Sequence, residues 1–162
     1  MAKKKSTLNI ALVGNPNTGK TSLFNQLTGL NQKVGNYPGI TVERKVGTFK
    51  LPNGASASIS DLPGTYSVNP SSADENIVID TLLERDASQK PDIVLVVADV
   101  LNLKRNLFLL SQVMDLGYRT VLAINMSDQM EKRGITIDPE RIEKNFGCSV
   151  VLVSMKKRTG LE

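Results

Sequence analysis

Apolar residues along this chain come in short unbroken runs that alternate with stretches where they recur every three or four positions. The runs predict strands at Leu8–Val13, Ile93–Asp99, Thr120–Asn125 and Val150–Ser154. The β-branched content of Ile93–Asp99 is that of a central parallel strand. Two further strands, Thr41–Leu51 and Ala55–Ser60, flank Pro52-Asn53-Gly54, whose turn chemistry predicts a hairpin. Helical spacing covers Lys20–Leu27, Asp74–Glu84 and Arg105–Leu116; in the second, Ile77, Ile79, Leu82 and Leu83 share roughly one face. A fourth helix starts at Asp138 as N-cap with Pro139 in its first position and ends near Phe146-Gly147.

Strands alternating with helices predict an α/β, doubly wound, mostly parallel six-stranded sheet with one antiparallel strand. In such sheets ligands bind at the carboxyl ends of the strands. A last helix is expected after Gly160-Leu161-Glu162. The chain therefore reads as a single domain over residues 1–162, a fragment of something longer, with one sheet face uncovered near its edge.

Composition narrows the class. With 162 residues, 40% apolar and 22% charged, the chain is long enough to bury a core and has an ordinary globular balance. Its longest apolar run, Ile93 to Ala98, is too short to span a bilayer, and the N-terminus lacks the pattern of a signal peptide. The net charge of +4 comes largely from Lys3–Lys5 and Lys156–Arg158, read either as solvated tails or as a contact with an anionic membrane surface or RNA. Aromatic residues make up 4%, without basic–aromatic interleaving, which argues against a nucleic-acid stacking platform. The single cysteine, Cys148, excludes an internal disulfide and reads as a small buried hydrophobe. There is no histidine, which removes the commonest general base and argues against zinc.

The chemistry gathers in five segments. Gly14-Asn15-Pro16-Asn17-Thr18-Gly19-Lys20-Thr21, with Ser22 after it, matches G-x-x-x-x-G-K-[ST] between a strand and a helix, the context of a P-loop. Its backbone N–H groups wrap phosphates at a helix N-terminus, Lys20 places a point charge on the β and γ phosphates, and Thr21 offers a hydroxyl to Mg²⁺. Asp61-Leu62-Pro63-Gly64 follows a strand; Asp61 can hold the metal through water and the Gly64 N–H can meet the γ-phosphate. Asn125-Met126-Ser127-Asp128 resembles the guanine-reading N-K-x-D motif, in which the Asp128 carboxylate accepts from guanine N1–H and the exocyclic amine. Met126 stands where lysine is usual and can pack on the base face without adding charge. Ser154-Met155-Lys156 resembles the S-A-K turn that backs the base. Between the P-loop and the hairpin, Val34-Gly35-Asn36-Tyr37-Pro38-Gly39-Ile40-Thr41-Val42-Glu43 is rich in turn formers and is expected to be mobile without nucleotide. Thr41 there is the best candidate for a second hydroxyl on Mg²⁺.

These residues together resemble the G domain of the ferrous-iron transport protein B (FeoB) family over nearly the whole chain. The discriminating parts are Gly35-Asn36-Tyr37-Pro38-Gly39-Ile40-Thr41-Val42-Glu43, Asp61-Leu62-Pro63-Gly64-Thr65-Tyr66-Ser67 and the methionine of the fourth motif. Related translational GTPases more often carry P-G-T-T-R in the switch segment. The resemblance implies a GTP/GDP- and Mg²⁺-binding GTPase domain at the N-terminus of a multi-pass iron(II) transporter. That domain sits on the cytoplasmic face of the bacterial inner (plasma) membrane, with helical and transmembrane domains of the same protein as partners, room for self-association and no nucleic-acid partner. It also implies a K⁺ site made by Asn17 and the carbonyls of Gly35 and Tyr37, and a catalytic set of Lys20, Thr41 and Asn17. Thr65 stands where many switch GTPases carry a water-orienting glutamine and is too short for that task. Hydrolysis is therefore expected to be slow, in the range of about 10⁻⁴ to 10⁻² s⁻¹. Two other classes compete: a soluble RNA- or ribosome-associated GTPase using the basic ends, and a nucleotide-binding module with negligible hydrolysis.

Overall fold

Strand β1 (Thr7–Gly14) lies between β4 (Ser56–Asp61) and β5 (Ile93–Asp99) and is parallel to both. Its Ala11, Leu12 and Val13 are buried, as a parallel strand covered on both faces requires. The computed structural model describes residues 7–162, so the Lys3–Lys5 run lies outside the described residues. Four more strands complete the sheet: β2 (Gln32–Asn36), β3 (Glu43–Lys50), β6 (Arg119–Asn125) and β7 (Ser149–Leu152). The order is β2-β3-β4-β1-β5-β6-β7, and β3 alone runs against the other strands, being antiparallel to both β2 and β4.

The doubly wound sheet with one antiparallel strand is as the sequence predicts, but it has seven strands rather than six. The addition is β2, which takes Val34, Gly35 and Asn36 out of the segment read as turn-forming. Its side chains carry no apolar alternation, and Val34 is 58% exposed. The strand is held by its backbone ladder with β3, from Gln32 opposite Gly47 to Asn36 opposite Glu43, so no side-chain pattern announces it. The Tyr37 N–H donates to the Val42 carbonyl (3.0 Å) and closes the hairpin, which puts Thr41 and Val42 in the turn and starts β3 at Glu43 instead of Thr41.

Helices α1 (Lys20–Thr28), α2 (Ala73–Leu82), α3 (Leu103–Asp115) and α5 (Pro139–Phe146) follow the predicted positions, with a short α4 (Met130–Arg133) between β6 and α5. The α5 ends are set as read: the Asp138 side chain accepts from the Arg141 N–H (3.1 Å), Pro139 occupies the first turn, and Gly147 takes the left-handed conformation (φ 72°). At α2, Ser72 accepts from the Glu75 N–H (3.2 Å), and Asp74 and Glu75 lie in the first turn where the helix dipole favours them.

Two apolar clusters hold the layers. The larger joins β1 and β5 through Ala11, Val13 and Val96 to α2 and α3 through Val78, Leu109 and Val113, and includes Cys148. Burial pushes the Cys148 thiol up, as befits a packed side chain. The smaller cluster seats α1 through Leu23 and Phe24 on Leu12, Ile59, Val97, Ala123 and Val153. At the far edge Val151 is 40% exposed.

The smaller cluster continues to the end of α1, where Gly47 of β3 packs on Thr28. A Cβ at Gly47 would lie 2.7 Å from the Thr28 Cβ, and the Thr28 hydroxyl is tied to the Phe24 carbonyl (2.7 Å), so that side chain has no room to yield. Gly47→Ala should therefore lower stability by about 1–3 kcal/mol through overpacking, read as a reduced urea midpoint. An unchanged midpoint would refute the contact.

Candidate functional site

Four strand ends, those of β1, β4, β6 and β7, deliver the predicted segments to one edge of the sheet. The loop after β1 is shaped by its glycines and by Asn17. Gly14 is pressed against the Val97 carbonyl, 2.8 Å from where its Cβ would be. Gly19 (φ 85°) and Asn17 (φ 65°) are left-handed, a conformation open to glycine and tolerated by asparagine. Thr18 is buried and its hydroxyl donates to the Asn15 carbonyl (2.9 Å), which tightens the turn. Asn15, Pro16, Asn17, Gly19, Lys20, Thr21, Ser22 and Gly64 line a groove of about 360 Å³.

Lys20, Thr21 and Asp61 meet at the end of this groove. The Lys20 ammonium ion-pairs with Asp61 Oδ1, and the Thr21 hydroxyl donates to Asp61 Oδ2 (3.0 Å). Asp61 is buried, so both its oxygens are matched by donors as its desolvation demands. A hydroxyl and a carboxylate side by side are the hard-oxygen donors that suit Mg²⁺. Among the described residues no group of three or more His, Cys, Asp or Glu side chains could hold a metal ion.

Asn125 has a role the motif alone does not disclose. Its Nδ2 donates to the Thr18 carbonyl (3.0 Å) and its Oδ1 accepts from the Met155 N–H (3.1 Å), so one buried carboxamide joins the P-loop, β6 and the turn after β7. Gly19 is required beneath it, because any Cβ there would strike Asn125 Nδ2. Gln26 of α1 adds a second brace, donating to the Met155 carbonyl (2.8 Å). Neither brace shows in the sequence, since each joins residues more than a hundred positions apart.

Asp128 lies beside this frame. Its Oδ1 accepts from the Ser154 hydroxyl (2.7 Å) and its Oδ2 from Gln129 Nε2 (2.8 Å). The Ser154 hydrogen bond, helped by Gln129, holds the carboxyl below the usual aspartate range. Met126 at the entry to this turn is left-handed (φ 64°). Ser127 donates its N–H to the Val153 carbonyl (3.1 Å), and Lys156 is exposed.

The switch residues divide. Leu62 and Thr65 donate backbone N–H groups to the Leu12 and Gly14 carbonyls (3.1 and 3.0 Å), which lays Asp61–Thr65 along the P-loop. Thr65 is fully buried; its hydroxyl bonds the Ser67 carbonyl (2.7 Å) and Glu75 Oε1 (3.1 Å). Glu75 also accepts from the Ser71 N–H and hydroxyl (2.7 and 2.6 Å), bonds that hold its carboxyl below the ordinary range. Their stabilisation is present above that range and is lost as pH falls through the depressed value. Gly35, Tyr37, Gly39, Ile40, Thr41, Val42 and Glu43 instead form the β2–β3 hairpin and its turn, with Gly35 opposite Arg44 and the Thr41 side chain exposed. The Tyr37 ring is half-buried, with the Arg44 guanidinium 6.0 Å from its centroid, and burial raises its phenol pKa.

Residues 8–162 match the family described as Ferrous iron transport protein B. The Fe(2+) transporter FeoB of Leptospira biflexa is 46% identical over 94% of this chain, and that of Salmonella typhimurium 43% over 96%. The chain spans 22% and 20% of those proteins, about a fifth of their length. Among solved structures, the G domain of T. maritima FeoB is 42% identical with a TM-score of 0.85, covering 96% of this chain and 92% of that one. The cytosolic domain of the same transporter in its GMPPNP form gives 0.88 at 42% identity, over 95% of this chain and 59% of that one. A point mutant of S. thermophilus NFeoB bound to GDP gives 0.86 at 44%, over 94% of this chain and 58% of that one.

The Asn125 brace gives a direct test. Asn125→Ala leaves the buried Thr18 carbonyl and Met155 N–H without partners and should cost about 1–3 kcal/mol in chemical denaturation. Asn125→Asp, which cannot donate to Thr18, should not restore the loss; full recovery in the aspartate variant would overturn the assignment.

Proposed function

We propose that this chain, which belongs to the ferrous iron transport protein B family, is a GTP-binding switch domain that hydrolyses GTP slowly and serves an iron(II) transporter. The observation that carries the reading is the Asp128 carboxylate, fixed by Ser154 and Gln129 beside the Asn125 frame, on the same sheet edge as the P-loop. A fixed carboxylate there selects guanine, because adenine lacks the paired N–H donors it would need.

The chain's own residues divide the work. Backbone N–H groups of the P-loop and the start of α1 hold the phosphates. Lys20, on leaving Asp61, neutralises charge on the β and γ phosphates. Mg²⁺ would be held by the Thr21 hydroxyl, with Asp61 through water and Thr41 as a further ligand, and when bound it supplies charge neutralisation across the same phosphates. K⁺ would be held by the Asn17 carbonyl oxygen together with the Gly35 and Tyr37 carbonyls, adding positive charge beside the phosphates. The burial of Thr65 and its bonds to Ser67 and Glu75 support slow hydrolysis, since its hydroxyl is not free to orient water. No described helix is long and apolar enough to cross a membrane, and the transporter's further domains at the cytoplasmic membrane face are the partners we assign.

Asp128→Asn should weaken GTP binding about a hundredfold by calorimetry, as loss of a charged hydrogen-bond pair implies. ATP binding by the parent as tight as GTP binding would refute guanine selection. Single-turnover GTP hydrolysis should be faster in potassium than in sodium, and Asn17→Ala should remove the difference. Equal rates in the two salts would sink the potassium site.

A further inference from the structure

Asn15 is only 3% exposed, and neither its Nδ2 nor its Oδ1 has a hydrogen-bond partner. Other buried asparagines are satisfied: Asn106 Oδ1 accepts from the Asp99 N–H (2.8 Å), and Asn125 uses both ends of its carboxamide. Among the described residues Asn15 is the one side chain whose whole carboxamide is buried and unpartnered. Native proteins rarely keep such a group without a task for it in another state.

Its surroundings indicate the task. Ala11 and Val13 point into the larger apolar cluster, and Asn15 follows at the same two-residue spacing. It stands at the seam between the P-loop and the segment after Asp61. Gly14 before it accepts from the Thr65 N–H, and the Pro16 backbone after it is 3.3 Å from where a Cβ of Gly64 would lie. Across Leu62–Thr65 the N–H groups of Leu62 and Thr65 are committed to β1 carbonyls, and Pro63 has none. Gly64 therefore carries the remaining donor. Its peptide is planar and trans, so its N–H and the Pro63 carbonyl point in opposite directions. Turning the N–H toward a γ-phosphate turns that carbonyl the other way, and the segment that carries it packs on Pro16, the residue after Asn15.

We propose that Asn15 is a positioning residue that reports the γ-phosphate: with GTP bound, its Nδ2 donates to the Pro63 carbonyl and holds Gly64 in place. This rests on the GTP reading above. The carboxamide is unpartnered in one arrangement of the segment and satisfied in the other, so it favours the triphosphate state without touching the nucleotide.

The test compares the affinity of GDP with that of a non-hydrolysable GTP analogue in the parent, Asn15→Leu and Asn15→Ala. Leucine has a similar volume and no polar atoms; alanine keeps the ratio measurable if leucine does not fold. In both variants the analogue should lose about tenfold more affinity than GDP does. The nucleotide-free leucine variant should melt no lower than the parent, because it removes an unsatisfied amide. Equal losses for both nucleotides, or no loss for either, overturn the proposal. A parent that binds neither nucleotide overturns the GTP reading instead, so the two failures are distinguishable.

Discussion

The Asn125 carboxamide reaches from the end of β6 to the Thr18 carbonyl on one side and the Met155 N–H on the other. The P-loop, the β6 turn and the β7 turn come from distant parts of the chain and have no covalent reason to keep a fixed spacing. A nucleotide needs them at one spacing, phosphates at one end and base at the other. A single buried amide with both ends satisfied is a stiff way to set that distance, since losing either bond leaves a backbone group at the packed seam without its partner. Gly19, its left-handed backbone and the brace from Gln26 follow from this requirement.

Charge sets the second constraint. Lys20 and Asp61 neutralise each other beside Thr21, which lets a buried carboxylate persist at the edge of an apolar sheet. The same pairing ties together two motifs that the proposed function would have part, because a lysine bound to carboxylate is not bound to phosphate. In the function proposed above, anionic phosphate with a divalent ion would replace the pair with two others, lysine with phosphate and carboxylate, through water, with metal. Exchange of partners keeps every charge matched, which is how a site without histidine can rearrange without leaving an isolated ion.

Much of this was legible in the residues. Asp138-Pro139 and Gly147 mark both ends of α5 because capping is local chemistry, and the P-loop is read from its glycines and Lys20 because their spacing is the mechanism. β2 was not legible, since an edge strand held by backbone pairing leaves no pattern in Gln32-Lys33-Val34-Gly35-Asn36. The Asn125 and Gln26 braces and the Thr65–Glu75 bond were hidden for a related reason. They depend on which segments the fold brings together, and polar side chains give no sign of their distant partners. The burial of Asn15 falls between these cases: its place in the P-loop is plain, but its carboxamide looks like loop chemistry until the packing around it is known.

The β2–β3 hairpin has a kinetic side. Five residue pairs hold it, and β2 contributes little beyond backbone bonds. Hairpins of this kind close in about 1–10 μs, while intrinsic GTPases turn over at about 10⁻⁴ to 10⁻² s⁻¹. During one such turnover the strand would zip and unzip a great many times. The segment then carries no memory of how it was loaded. In the function proposed above it would act as an equilibrium gauge, its position set at each moment by the weights of whatever ligands hold it, with hydrolysis as the slower step.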